Sequence, residues 1–231
     1  MSRPLTRTLL TLTFVTGIVD AVSFIALGQV FAAMQTGNVI FLGLGIAGTA
    51  GAPVAAPLIG LGFFVAGGTV AALAIRRGVE NRHHGLGFAI GIEVLLLACA
   101  AVVATLTDAS PDTSSAYALI AILSLAMGLR GTIVRGIGGP NLATTVLNLS
   151  LTAATSLAPA GVATGSDLRE RGAALLAILL GAMTGALLLK TSLALPIATA
   201  AAITLAAGLA HAQSTQRHTP LGTGPRSGEG G

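Results

Sequence analysis

Three ionisable side chains stand inside otherwise apolar stretches of this sequence: Asp20, Glu93 and Arg130. A charge in hydrocarbon is expensive, so such residues face a protein interior or a watery path and mark ion, proton or solute sites. Asp20 belongs to a stripe. Thr13, Thr16, Gly17, Asp20, Ser23 and Phe24 recur at three- and four-residue steps, which puts them on one helical face. An acid among hydroxyls is the chemistry of a cation or proton site. The plainer alternative is a carboxyl that caps or bridges neighbouring helices. Downstream, Thr36-Gly37-Asn38 interrupts the apolar run with the chemistry of a helix start: Thr or Asn as N-cap, Gly to permit a tight break. A helix that begins at mid-depth aims free N–H groups and a positive dipole end at a ligand. A turn at the surface is the alternative. Glu93 is read as a further proton or ion site, with reach to the interface as its alternative. Arg130 has three readings: a partner for Asp20, a partner for a substrate carboxylate or phosphate, or a side chain that snorkels to the cytoplasm beside Arg135. The expected solute- or ion-binding set is Asp20, Thr16, Ser23, Thr36, Gly37, Asn38, Arg130, Asn148 and Ser150, with Glu93 beside it.

Composition says what must hold these residues. Charged residues make up 9% of the chain and hydrophobic ones 53%, with a mean hydropathy of +0.87. A soluble domain carries about 25% charged residues, so most of this surface faces lipid. The 231 residues leave room for roughly six to eight spans. The net charge of +4 comes without a basic run interleaved with aromatics, so no nucleic-acid partner is expected. The single cysteine, Cys99, allows no internal disulfide and no CxxC metal site. His83 and His84, beside Arg82, are read as a solvated loop, and His211 as a helix-end residue. No Ser/His/Asp set and no phosphate-cradling glycine loop is present, so neither enzyme chemistry nor a cofactor is expected. Arg3 and Arg7 precede an apolar run that is read as a retained first span rather than a signal peptide.

Apolar segments fall at residues 8–31, 36–50, 55–75, 86–106, 116–134, 142–157, 173–189 and 192–211. The second is short, and the sixth is polar in its middle. If all eight span from an inner N-terminus, the basic residues divide six against six. If the second and sixth enter and leave on one side, Arg3, Arg7, Arg76, Arg77, Arg82, Arg130, Arg135, Arg169, Arg171, Arg217 and Arg226 lie inside and only Lys190 outside. The positive-inside rule favours the second arrangement. The expected fold is therefore an all-α polytopic membrane protein with six full transmembrane helices plus two short, re-entrant segments. Seven or eight spanning helices are the alternative.

The two halves resemble each other at an offset of 111, where residues 16–22 lie over residues 127–133. Three spans per half make this a 3+3 inverted repeat, a layout found in many secondary transporters. One membrane domain is expected over residues 1–211, with repeats at about 8–107 and 116–211, followed by a disordered cytoplasmic tail at 212–231. The pairs Gly87–Gly91 and Gly181–Gly185 suit close helix packing within the chain, with a homo-oligomer as the alternative.

Gly17-Ile18-Val19-Asp20-Ala21-Val22-Ser23-Phe24, then Gly28, then Met34-x-Thr36-Gly37-Asn38, resemble the signature of the YoaK-like family of bacterial integral membrane proteins. Ala126-Met127-Gly128-Leu129 and 139–146 extend the resemblance to nearly the whole chain. The family pattern resembles Gly-Leu-Gln-Asn-Ala where this chain has Gly128-Leu129-Arg130-Gly131-Thr132, and Thr-Gly where it has Asn148-Leu149. The resemblance implies a multi-pass protein of the bacterial plasma membrane and names no activity. From the residues, the expected function is a small secondary transporter or permease for a small solute or ion, with both termini cytoplasmic. The alternative is a non-transporting partner-binding or regulatory membrane protein.

Overall fold

The computed structural model describes residues 3–76, 82–138 and 165–216. These form seven helices: α1 (Arg3–Ala26), α2 (Gln35–Ile46), α3 (Ala55–Arg76), α4 (Arg82–Leu106), α5 (Ser114–Gly138), α6 (Gly165–Leu189) and α7 (Ala194–Gln216). All but α2 are long and apolar enough to cross a membrane. Lipid offers the backbone no hydrogen bonds, so a spanning segment must satisfy its own N–H and C=O groups, as a helix does. This is an all-α polytopic membrane protein. The twelve residues of α2 rise about 18 Å, well short of a ~30 Å hydrocarbon core.

Several boundaries differ from the sequence expectation. The first helix ends at Ala26 rather than near residue 31. Gly28 (φ 112°) and Gln29 (φ 55°) reverse the chain there, and the Gln29 N–H closes back on the Phe24 carbonyl at 3.2 Å, a Schellman-type end. Arg82, His83 and His84, read as loop, lie in the first turn of α4. The helix α6 begins eight residues before the expected segment, because its charged stretch 165–172 continues the helix beyond the apolar span. The last helix runs to Gln216, past the expected start of the tail. The expected segment 142–157, with Asn148 and Ser150, and the tail from 217 lie outside the described residues.

Helices α1 and α5 are central. Within their spans 56% of residues are buried, against 17% in α3 and 11% in α6. Val15, Ile18, Val19 and Val22 of α1 meet Leu119, Ile120, Leu123 and Met127 of α5, with Leu97 and Ala100 of α4, in one buried cluster. The most extensive helix pairings are α1 with α6 and α3 with α5. The pairings of α4 with α7, α4 with α5 and α1 with α7 come next.

Glycine permits the two tightest pairings. A Cβ on Gly17 would meet the backbone of Ile178 and Ala182 on α6, and one on Gly181 would meet the Phe14 carbonyl of α1. Likewise a Cβ on Gly128 would meet the Phe64 carbonyl of α3, and one on Gly67 the Leu125 carbonyl of α5. Gly185 also sits against Ile18, so the Gly181–Gly185 pair packs within the chain as expected. Gly87 and Gly91 have open space where a Cβ would stand, so that pair joins no helices among the described residues.

Candidate functional site

Thr16 stands at the middle of the α1 span, and its backbone position follows from the close seating of Gly17 on α6. Its hydroxyl donates to the Leu12 carbonyl at 3.0 Å, as hydroxyls in apolar helices do. That leaves oxygen lone pairs to accept a second bond, and Arg130 of α5 supplies it: Nη2 donates to Thr16 Oγ1 at 2.5 Å. The same Nη2 lies 3.1 Å from Met127 Sδ, one turn back on α5. Nη1 pairs with Glu93 Oε1 of α4 at 2.6 Å. Three helices thus converge on one guanidinium, which is 6% exposed, while Glu93 is fully buried.

Asp20 is a turn further along α1 and does a different job. Its Oδ1 accepts the Ala33 N–H at 2.8 Å, with the amides of Ala32 and Met34 beside it and the Arg130 charge within electrostatic reach. It holds the irregular stretch between α1 and α2. Asn38 completes that hold: Oδ1 accepts the Phe31 N–H at 2.8 Å, and Nδ2 donates to the Phe31 carbonyl at 2.6 Å and to Gln35 Oε1 at 2.8 Å. Gln35 in turn donates to the Ala32 carbonyl at 2.9 Å. Irregular backbone inside a membrane protein needs such internal partners. Phe31 stacks on Phe24 and on Phe41, with Phe24 and Phe31 centroids 5.1 Å apart, and Phe41 lies tilted to Phe24.

Several expectations change. The Asp20–Arg130 pair does not form: among the described residues the arginine's ion pair is with Glu93. Arg130 does not snorkel and Glu93 does not reach an interface, because both are buried against each other. Arg130 also leaves the count of cytoplasmic basic residues, which becomes ten against one. The α2 start carries no side-chain cap. Its N-cap is Met34, and Asn38 is turned back to Phe31 instead. Thr36 is exposed, and Gly37 lies under the Phe31 ring. The Ser23 hydroxyl is taken up by the Val19 carbonyl at 2.7 Å. Of the expected set, Thr16, Arg130 and Glu93 form one centre, with Asp20 a turn away on α1 and Asn38 on the stretch that Asp20 holds.

Among the described residues two buried oxygens have no partner: Glu93 Oε2 and Ser124 Oγ. Ser124, Met127, Gly60 and Gln35 were not expected. Ser124 and Asn38 converge on Gly60 of α3, whose missing side chain leaves the room. The signal for Ser124 was available, since it stands two turns before Arg130 on a helix whose middle is otherwise apolar. Met127 carried no polar signal.

The fold and this centre define a class: an integral membrane protein of helical spans enclosing a buried charged cluster. The model of a family described as "Protein of unknown function (DUF1275)" matches residues 8–210, and the chain belongs to that family. It is similar to the UPF0700 transmembrane protein YoaK of Bacillus subtilis (strain 168), 31% identical over 148 residues. That match covers 63% of this chain and 64% of the relative's length. No solved structure matches the chain.

Proposed function

We propose that this protein is a small secondary transporter or permease of the bacterial plasma membrane, built as a 3+3 inverted repeat with its solute site at the Thr16–Glu93–Arg130 centre. The observation that carries the reading is the place of Arg130. Its Nη2 lies between Thr16 and Met127, which are 111 positions apart and so occupy corresponding places in the two halves. The packing supports the same repeat. Exchanging α1 with α5, α3 with α6 and α4 with α7 turns α1–α6 into α3–α5 and α4–α5 into α1–α7, and leaves α4–α7 as it is. The glycine contacts follow the exchange residue by residue. Gly17 and Phe14 correspond to Gly128 and Leu125 at 111, and Gly67 and Phe64 to Gly181 and Ile178 at 114. A charged cluster between two such halves is where alternating access places a substrate.

In this reading α2 and the stretch before it are re-entrant from the outer face, and Asp20 and Asn38 hold them shut. Both termini are cytoplasmic, since ten basic residues then lie inside and Lys190 outside. The protein acts without catalysis or cofactor. Its partners are the bilayer and a small solute or ion.

Reconstitution tests this. Proteoliposomes should take up at least one small solute from a panel of amino acids, nucleobases, organic acids and inorganic anions. The paired variant Arg130→Met with Glu93→Leu should remove at least nine-tenths of that flux while the protein stays monodisperse. No flux across the panel, or full flux in the variant, contradicts the proposal. The reading as a partner-binding protein has one feature in its favour, an open apolar groove between α1 and α6 lined by Leu10, Phe14, Leu176 and Leu180. It predicts co-purification of another membrane protein, lost on Leu176→Ser.

A further inference from the structure

We infer that the centre takes a small anion, a carboxylate or oxyanion, together with one proton: the anion on Arg130 and the proton on Glu93. The inference rests on the transport reading for its purpose and on the geometry of the centre for its chemistry.

The arginine is under-supplied. A guanidinium has five N–H donors and suits an anion with two oxygens side by side. Among the described residues Nη1 has one carboxylate oxygen, and Nη2 has a hydroxyl and a thioether, the latter a weak acceptor. Glu93 is under-supplied in the complementary sense. Its Oε1 meets Arg130, and its Oε2 is buried with no partner among the described residues. A buried ionised carboxylate normally has its oxygens satisfied. An oxygen left bare is a place where a proton is tolerated without breaking an existing bond.

Charge decides the coupling. With Asp20 and Glu93 ionised beside Arg130, the buried cluster carries one net negative charge. An anion added alone raises this to two in a medium where each uncompensated charge is expensive. An anion added with a proton restores one. The swap is balanced: a proton from water binds Glu93 Oε2, the neutral carboxyl releases Arg130 Nη1, and the anion's oxygens take Nη1 and Nη2. Thr16 and Met127 are displaced or share. Apart from the bond that the proton leaves in the solvent, no covalent bond breaks. The other titratable residues on these helices are Arg3, Arg7 and Asp20 on α1, Arg82, His83, His84 and Cys99 on α4, Tyr117 and Arg135 on α5, and His211 on α7. A metal cation fits less well, since no group of three or more His, Cys, Asp or Glu side chains converges among the described residues.

The test uses the full chain in detergent with formate, acetate, L-lactate and inorganic phosphate as probes. Binding is followed by calorimetry, and proton uptake by a pH dye in weak buffer. At least one probe should bind with uptake of about one proton per anion. On the alkaline side its affinity should fall about tenfold per pH unit. Glu93→Gln should remove the proton uptake and flatten the pH dependence, and Arg130→Met should lower affinity at least tenfold at every pH. Should the Glu93 variant not fold, the wild-type proton count decides alone. Binding without proton uptake, sodium binding in place of the anions, or no binding by any probe overturns the inference. If none of the four binds while proteoliposomes carry a neutral or cationic solute, the transport reading stands and this inference falls. Proton-linked binding without flux leaves the inference standing and removes the transport reading.

Discussion

Arg130 and Glu93 sustain each other. Removing either partner strands a buried charge, which costs about 3–5 kcal/mol, whereas apolar replacement of both is often neutral. Arg130→Ala and Glu93→Ala should therefore each destabilise the protein markedly, and the pair Arg130→Met with Glu93→Leu should recover most of the loss. Thermal unfolding in detergent reads this, and an additive double variant would contradict it. Asp20 and Asn38 act on backbone instead. Asp20→Asn keeps an oxygen for the Ala33 N–H and should be mild, while Asp20→Ala should cost about 1–3 kcal/mol. Asn38→Ala loses three bonds and should cost about 2–4 kcal/mol. An equal effect of Asn and Ala at position 20 would show that the carboxyl holds nothing. At this scale the sequence exposed the charged residues but not their partners. Burial of Asp20, Glu93 and Arg130 follows from their apolar surroundings. Thr16 and Asp20 share a face of α1, so which of them meets the arginine depends on their level along the helix: Thr16 is level with Arg130, and Asp20 lies a turn further on, against Ala33.

At the scale of elements, glycine position determines which helices touch. Gly17→Leu and Gly128→Leu each drive a side chain into a neighbouring backbone and should abolish monodisperse protein on size exclusion. Gly87→Ala and Gly91→Ala meet open space and remove a flexible residue from a helix, so each should be neutral or stabilising by roughly 0.5–1 kcal/mol. The sequence presents Gly87–Gly91 and Gly181–Gly185 as the same motif. Only the second packs, because the spacing shows that glycines share a face and not what that face meets. The six long helices were legible from apolar length, which is what a bilayer demands. The end of α1 was not. Residues 27–31 stay apolar, so only Gly28 marked the reversal, and one glycine is a weak stop. The brevity of α2 was legible, but its cap was not. Asn38 looks like a capping residue and serves instead to bind the preceding turn.

In the proposed repeat the whole molecule is two halves around α1 and α5, with the charged centre where they meet. The offset of 111 showed faintly in the sequence because few identities survive. In the proposed repeat the correspondence lies in which glycine meets which carbonyl, a matter of small size and place rather than of residue type. One topology follows. Tags at Thr49 and Pro159 should report opposite faces, Thr49 outside and Pro159 inside, and tags on one face would contradict the re-entrant arrangement. Access to the centre is the most direct test of all, because it needs no knowledge of the solute. With Cys99→Ser as background, Thr16→Cys places a thiol beside the arginine. A membrane-impermeant thiol reagent should label it from the outside in right-side-out vesicles and from the inside in inverted vesicles. Labelling from one face only, or from neither, would contradict a transport site at Thr16, Glu93 and Arg130.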